Sequence, residues 1–160
     1  MEGVAAEAGV GKPALYRRYP TRAHLVFAAT VEASVLPEPP DTGSFRSDLI
    51  LVTQMLAWSL RESPRPMLAE QFAASILDAD FARAVAEQVN APALDAVEAV
   101  WRRAVERGEV DSRLNGRERL IDLSSMLVMR ILYFHLEVTD DDIAAIVDHF
   151  LYGALGERPE

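Results

Sequence analysis

Apolar residues recur every three to four positions along most of the chain, which is the spacing of one face of an α-helix. No stretch convincingly alternates apolar and polar residues in the way that a half-buried strand does. The pattern therefore predicts an all-α protein, with a short N-terminal group of helices and a longer C-terminal group.

Three helices are predicted in the N-terminal group. The first covers 4–8 and ends at Gly9, because glycine readily adopts the left-handed conformation that follows a helix. The second covers 12–19, with a proline tolerated in its first turn and another proline ending it. Thr21 can cap a third helix, which is expected to run to about Val35.

A connector separates the two groups of helices. Residues 36–44, LPEPPDTGS, contain three prolines and a glycine, a composition typical of irregular chain. The sequence therefore predicts an N-terminal domain over 1–36 and a C-terminal domain over 45–156.

The C-terminal domain is predicted to contain five or six helices. Apolar stripes cover 45–60, 67–77, 81–89 and 94–105. Pro92 is expected to break or kink the chain after the third stripe, because proline cannot continue a helical hydrogen-bond ladder.

Two further helices of this domain carry start signals. Asn115, with Glu118 three residues later, resembles a capping box that opens a long apolar helix ending near Leu136. Thr139 with Asp142 gives a similar start to a last helix, which is expected to end about five residues before the C-terminus.

Composition narrows the class of protein. Half of the 160 residues are apolar, which is enough for a sizeable core. No apolar run reaches the length of a membrane-spanning helix, and no signal peptide is recognisable. The chain has no cysteine, which excludes disulfides and thiolate chemistry and fits a reducing cytoplasm.

Positive charge is concentrated near the N-terminus of an acidic protein. The formal net charge is −9, yet residues 1–35 carry +1 and residues 36–160 carry −10. Residues 8–25, AGVGKPALYRRYPTRAHL, hold the only lysine, three arginines and two tyrosines, with no acidic residue. Such a segment is typical of contact with a phosphate backbone, although it also fits a solvated basic surface helix.

Two short helices joined by a glycine-containing turn have the geometry of a helix-turn-helix, whose second helix enters the major groove of DNA. Basic side chains there can donate to guanine edges or phosphates, alanine or proline can contact a thymine methyl group, and tyrosine can bind a phosphate. Thr21 and Arg22 begin a helix, where free N–H groups favour a phosphate. The candidate DNA-contacting residues are Gly11, Lys12, Pro13, Ala14, Tyr16, Arg17, Arg18, Thr21 and Arg22, while Val10 and Leu15 are expected to pack inward.

The order of residues in this segment resembles the recognition motif of the TetR family of bacterial transcriptional regulators. The matching residues are Ala8, Gly9, Val10, Lys12, Leu15, Tyr16, Arg17, Pro20 and Leu25. Tyr19 replaces a phenylalanine that packs inward in the family, so it is assigned to the core. Gly11 replaces the usual serine, which weakens the cap of the second helix. The resemblance is dense over 4–26 and looser over the rest of the chain.

The resemblance implies a fold and a function. It predicts a DNA-binding head and a helical body for ligand binding and dimerisation, in a ligand-responsive repressor that binds double-stranded operator DNA as a homodimer. Family members have one more helix before the motif, whereas only residues 1–3 precede it here. The head is therefore expected to be partial and DNA binding to be weak or absent. The alternative is a dimeric small-molecule-binding module that has lost DNA binding.

Large flexible and aromatic side chains of the body are candidates to line a cavity for an apolar or aromatic ligand. Each of them taken singly is more typical of an ordinary core. Arg130 either binds an acidic group of the ligand or pairs with a carboxylate of the body. The candidates are Met55, Trp58, Met67, Phe72, Phe81, Trp101, Met126, Met129 and Arg130.

The predicted helix over 120–136 is apolar around most of its circumference, so it must be covered on more than one side. The cover is either a second subunit, in a four-helix bundle with the last helix, or the core of a monomer. The candidate interface residues are Leu120, Leu123, Leu127, Ile131, Phe134, Ile143, Ile146, Val147, Phe150 and Leu151.

Catalytic and metal-binding chemistry is not predicted. The three histidines lack the spacing of metal ligands, and no nucleophile or phosphate-binding motif is present. The run of acids over 140–142 lies in the first turn of a predicted helix, where carboxylates favourably oppose the helix dipole. We expect no enzyme activity, no metal and no cofactor.

Overall fold

The structure is a computed structural model that describes residues 1–33 and 37–155. Regular structure in these ranges is helical throughout, which confirms the predicted all-α class. The helices are α1 (Glu2–Glu7), α2 (Lys12–Arg18), α3 (Arg22–Ala33), α4 (Phe45–Glu62), α5 (Arg65–Leu77), α6 (Ala79–Val85), α7 (Ala91–Glu106), α8 (Gly116–Val128) and α9 (Asp140–Leu155). Helix α6 continues into a π-helical turn over Ala86–Asn90, and α8 into another over Met129–Tyr133.

The chain forms two compact units. The N-terminal unit comprises Met1–Val35 and Arg65–Asn90, and the C-terminal unit comprises Leu36–Pro64 and Ala91–Glu160. The sequence division assigned residues 65–90 to the C-terminal domain, but α5 contacts α3 and α6 and therefore groups with the N-terminal helices.

The core of the N-terminal unit joins α3 to α6. Phe27 and Phe81 meet edge to face with ring centroids 5.4 Å apart, and Ala23 is buried beside them. Partly buried side chains of α3, α5, α6 and the π-helical turn complete this cluster, which holds α3 against α5 and α6.

The core of the C-terminal unit is larger and includes α4, α7, α8 and α9. Trp101 and Phe45 are buried in it with their rings perpendicular and their centroids 5.4 Å apart. A Cβ atom on Gly116 would lie 2.6 Å from the Trp101 ring, so the start of α8 can approach α7 only because this residue is glycine.

The start signals read from the sequence are present in the structure. The Asn115 side chain accepts a hydrogen bond from the backbone N–H of Glu118. Thr139 and Asp142 form a reciprocal pair, in which the Asp142 N–H donates to Thr139 Oγ1 at 3.2 Å and the Thr139 N–H donates to Asp142 Oδ2 at 2.8 Å. These local bonds fix where α8 and α9 begin.

Three predicted boundaries differ from the structure or lie outside it. Pro92 does not break the chain, because the π-helical turn that ends at Asn90 is followed directly by α7. The helix expected to reach Leu136 ends at Tyr133, since His135 adopts a positive φ of 54°. The predicted end of the third helix at Val35, and Leu36 at the start of the connector, lie outside the described residues.

Within residues 1–33 and 37–155, no helix is long and apolar enough to cross a membrane. In the same ranges, no three acidic or histidine side chains are arranged to hold a metal ion.

Candidate nucleic-acid interface

The turn between α1 and α2 is closed by backbone hydrogen bonds around a left-handed glycine. Gly9 has a φ of 64° and donates its N–H to the Ala6 carbonyl at 3.2 Å, while the Val10 N–H donates to the Ala5 carbonyl at 3.0 Å. This pair of bonds is the Schellman arrangement that ends many helices, and glycine adopts the required conformation without steric cost. The turn therefore fixes the direction in which α2 leaves α1.

Backbone conformation also defines both ends of α2. Gly11 is extended at its N-cap and makes no side-chain capping bond there. Tyr19 is extended at the C-terminus, immediately before Pro20. The Thr21 hydroxyl then accepts a hydrogen bond from the His24 N–H at 3.4 Å, which caps α3 as the sequence predicts. The result is a short helix held between two defined turns.

The nine predicted DNA-contacting residues are all exposed in the N-terminal unit: Gly11, Lys12, Pro13, Ala14, Tyr16, Arg17, Arg18, Thr21 and Arg22. Leu15 is buried and Tyr19 is half-buried, as expected of the inward face. The expectation that Val10 packs inward is wrong, because this residue lies in the turn before α2 and is 44% exposed.

Two cations of this surface contact carboxylates of neighbouring helices. The Lys12 ammonium pairs with Glu2 of α1, and Arg22 Nη1 lies 3.3 Å from Glu70 Oε1 of α5. All four side chains are substantially exposed, and exposed ion pairs contribute only about 0–1 kcal/mol. Neither ion pair therefore contributes much to stability.

The other two arginines have different surroundings. The Arg18 guanidinium lies over the Tyr19 ring, 5.5 Å from its centroid, which is a cation–π contact. Arg17 makes no ion pair with any residue that the structure describes. Arg17 is thus an exposed cation whose hydrogen-bond donors are available to DNA.

His24 is a residue of this region that sequence reasoning missed. Its Nδ1 lies 2.9 Å from Thr21 Oγ1, and its ring contacts that of Phe81 in a tilted arrangement with centroids 4.7 Å apart. Its Nε2 is 3.7 Å from a carboxylate oxygen of Asp78, the side chain that caps α6. The sequence feature that could have identified it is its position three residues after the threonine that caps α3. Through these contacts, His24 links the start of α3 to α6.

The predicted ligand-lining residues are divided between the two units. Met67, Phe72 and Phe81 belong to the N-terminal unit, and the other six belong to the C-terminal unit. Phe81 and Trp101 are almost fully buried in the cores of their own units, and their role in lining a ligand site stays a prediction. Met126 and Arg130 line a common cleft in the C-terminal unit. The remaining members differ in exposure: Met55, Trp58, Phe72 and Met129 are exposed, and Met67 is half-buried.

The predicted interface residues lie mainly inside the protomer. Leu120, Leu123, Leu127, Ile131, Ile143, Ile146, Val147, Phe150 and Leu151 are all buried in the core of the C-terminal unit. Within the protomer neighbouring helices already cover these side chains, and their assignment to a subunit interface stays a prediction. Phe134 is the exception, with 59% of its surface exposed.

These features define a class of protein: helical, with a helix-turn-helix near the N-terminus and a larger helical C-terminal unit. A family model described as the tetracyclin repressor-like C-terminal domain matches residues 39–150. The match covers most of the chain, and the chain therefore belongs to the tetracyclin repressor-like, or TetR, family.

Individual relatives are similar over almost the whole chain. The DNA-binding transcriptional repressor TetR of Mycobacteroides abscessus is 30% identical over 153 residues, which are 94% of this chain and 80% of that protein. The HTH-type transcriptional regulator Rv1556 of Mycobacterium tuberculosis is 26% identical in an alignment of length 160, which covers 97% of this chain and 77% of that protein. The crystal structure of the TetR family transcription regulator SCO0332 matches with a TM-score of 0.72 and 26% identity, over 99% of this chain and 86% of that one.

Proposed function

We propose that this protein is a DNA-binding transcriptional regulator, a ligand-responsive repressor that acts as a homodimer on operator DNA in the cytoplasm. The observation that carries the proposal is the exposed face of α2, which presents basic, aromatic and small side chains between two defined turns. Family membership supports it, as does the role of the two relatives as transcriptional regulators.

DNA recognition is assigned to α2 and the start of α3. Seven helical residues span roughly 10 Å, which fits a major groove about 12 Å wide. In this arrangement Lys12 and Arg17 donate to guanine edges or phosphates, and Ala14 contacts a thymine methyl group. Thr21 and Arg22 hold a phosphate at the N-terminus of α3, where the backbone N–H groups favour an anion.

The homodimer is assigned to the exposed surface of α8 and the π-helical turn that follows it. Large apolar side chains are exposed there at Ile121, Met129, Tyr133 and the next residue, Phe134, and exposed apolar surface supports an interface. A dimer would present two copies of α2 to two half-sites about one helical turn of DNA apart.

The ligand is proposed to be a small molecule with an apolar or aromatic part. Helix α4 exposes Leu51, Met55 and Trp58 at a spacing that places all three on one face. Methionine and aromatic side chains form adaptable apolar surfaces, and their abundance in this unit supports a ligand with an apolar or aromatic part.

Fluorescence anisotropy with DNA from the promoter of the protein's own gene tests DNA binding. We expect sequence-specific binding that weakens steeply as salt concentration rises, because phosphate contacts release counterions. Arg17→Ala should weaken binding at least tenfold, whereas Arg102→Ala, which removes an exposed arginine of α7, should not. Equal affinity for the promoter and for a scrambled sequence, or equal effects of the two substitutions, would contradict the proposal.

A further inference from the structure

A cleft lies between α8 and α9 within the C-terminal unit. Its volume is about 350 Å³, within the range that small-molecule sites occupy. The cleft is lined by Met126, Arg130, Asp142, Ala145, Ile146 and His149. Apolar side chains and a few polar ones therefore face the same space, which is the composition of a ligand site.

Arg130 lacks an acceptor in this cleft. Its Nε atom is buried and has no hydrogen-bond partner among the described residues. A buried donor left without an acceptor is costly, and a guanidinium is suited to hold a carboxylate through two parallel hydrogen bonds. The side chain is therefore arranged for an acceptor that the protomer does not supply.

Asp142 lines the same cleft, but its carboxylate is hydrogen-bonded to Thr139. Its Oδ2 accepts hydrogen bonds from the Thr139 N–H at 2.8 Å and from the Thr139 hydroxyl at 2.7 Å, as part of the cap of α9. These bonds, and to a lesser extent the charge of Arg130, hold the pKa of Asp142 below its usual value. The carboxylate thus stays ionised and caps the helix, and it forms no ion pair with Arg130 among the described contacts.

The backbone at Arg130 is also unusual. Arg130 is the second residue of the π-helical turn Met129–Tyr133, which interrupts the regular hydrogen bonding at the end of α8. Such turns are rare and occur frequently at functional sites. The turn and the unpartnered guanidinium are separate observations that point to the same cleft.

We propose that this cleft binds a small monocarboxylate with a compact apolar group. The carboxylate accepts hydrogen bonds from Arg130, with His149 as a second polar contact, and the apolar group packs against Met126 and Ile146. The ionised Asp142 would repel a dianion such as a phosphate ester, which favours a singly charged ligand. The inference rests on the proposed ligand-responsive function and specifies where the ligand binds and what chemistry it has.

Isothermal titration of the full chain with hexanoate and benzoate tests the proposal, with hexanamide and benzamide as uncharged probes of similar shape. We expect at least one acid to bind at least tenfold more tightly than its amide. Arg130→Met should abolish that preference, while Arg130→Lys should retain part of it, because lysine keeps the charge but loses the planar donor pair. Arg102→Met is the matched control and should bind like the wild type, since Arg102 lies exposed on α7.

Circular dichroism first establishes that each variant is folded. If Arg130→Met does not fold, Arg130→Lys still tests the proposal. Equal binding of acids and amides by the wild type, or an unchanged preference in Arg130→Met, would overturn the proposal. A third outcome is that the wild type shows no acid preference and the dimer dissociates in Arg130→Met. That result would overturn the ligand proposal and show that Arg130 binds a carboxylate of a second copy of the chain. Acid binding that leaves operator affinity unchanged would support the site and count only against its regulatory role.

Discussion

At the scale of single residues, the DNA-facing surface is partly neutralised by the protein itself. Arg22, at the start of α3, is paired with Glu70 of α5, and Lys12 is paired with Glu2 of α1. In the proposed complex, a DNA phosphate that binds either cation would compete with its carboxylate partner. Binding to DNA therefore exchanges one anion for another at these positions, and the protein's carboxylates reduce the net gain.

Replacement of Glu70 by glutamine should strengthen operator binding. The substitution removes the competing charge from Arg22, and an exposed pair of this kind is worth enough to change affinity roughly 1.5- to 5-fold. Fluorescence anisotropy over a series of salt concentrations measures the effect. Asp80→Asn, which removes an exposed carboxylate paired with Arg83 in the same unit, serves as the control. Unchanged or weaker binding by Glu70→Gln would show that Glu70 does not compete with DNA.

The turn before α2 gives a second prediction at this scale. Gly9→Ala forces an L-residue into the left-handed conformation, which costs about 1–2 kcal/mol, and no atom lies within 4 Å of the added Cβ to change that value. Gly3→Ala is the matched control: it lies inside α1, also with open space around its Cβ, and should stabilise by about 0.5–1 kcal/mol. Urea unfolding of the two variants measures both values. A Gly9→Ala variant as stable as Gly3→Ala would contradict the role given to the turn.

At the scale of elements, local signals were sufficient to predict where helices begin. Asn115 and Thr139 cap α8 and α9 through bonds to residues three positions later, so both partners lie in one short stretch of sequence. The turn at Gly9 was predictable for the same reason. Short-range hydrogen bonds of this kind do not depend on what the helix packs against.

Features that depend on tertiary packing could not be read from the sequence. The apolar stripe through Leu123, Leu127 and Ile131 shows that these residues are covered, but not whether α4 or a second subunit covers them. Pro92 was expected to break a helix, and the π-helical turn just before it lets the helical run continue instead. The Arg130 cleft likewise needs α9 in place, which periodicity alone does not provide.

The cap of α9 predicts how stability depends on pH. Hydrogen bonds from Thr139 lower the pKa of Asp142 in the folded protein, so its stabilising effect is present above its ordinary value of 3.8 and is lost as pH falls through the folded value. Asp142→Asn should therefore lower the melting temperature at pH 7 and make little difference at pH values below both pKa values. Thermal unfolding by circular dichroism across this range measures it. Asp141→Asn, an exposed acid in the same turn, is the control, and an equal loss in both variants at pH 7 would refute the specific role of Asp142.

At the scale of the whole molecule, the charge distribution restricts how the protein meets DNA. Residues 36–160 carry a net charge of −10, whereas residues 1–35 carry +1. The acidic part is repelled by a polyanion, and the exposed cations of α2 and α3 are the part that is attracted. Long-range electrostatics therefore orients the encounter before any specific contact forms.

The exposed aromatic residues at the end of α8 predict that the protein forms a dimer. Tyr133 and Phe134 are 68% and 59% exposed, and their rings meet edge to face with centroids 5.1 Å apart. Aromatic anchors dominate interface energies, so replacing both with serine should raise the dissociation constant of the dimer roughly tenfold or more. Sedimentation equilibrium measures the change, and Trp58→Ser, which removes an equally exposed aromatic from α4, is the control. If only Trp58→Ser weakens the dimer, the interface includes α4 instead of the surface at Tyr133 and Phe134. The distance between the two copies of α2 on DNA would then be set by an interface through α4.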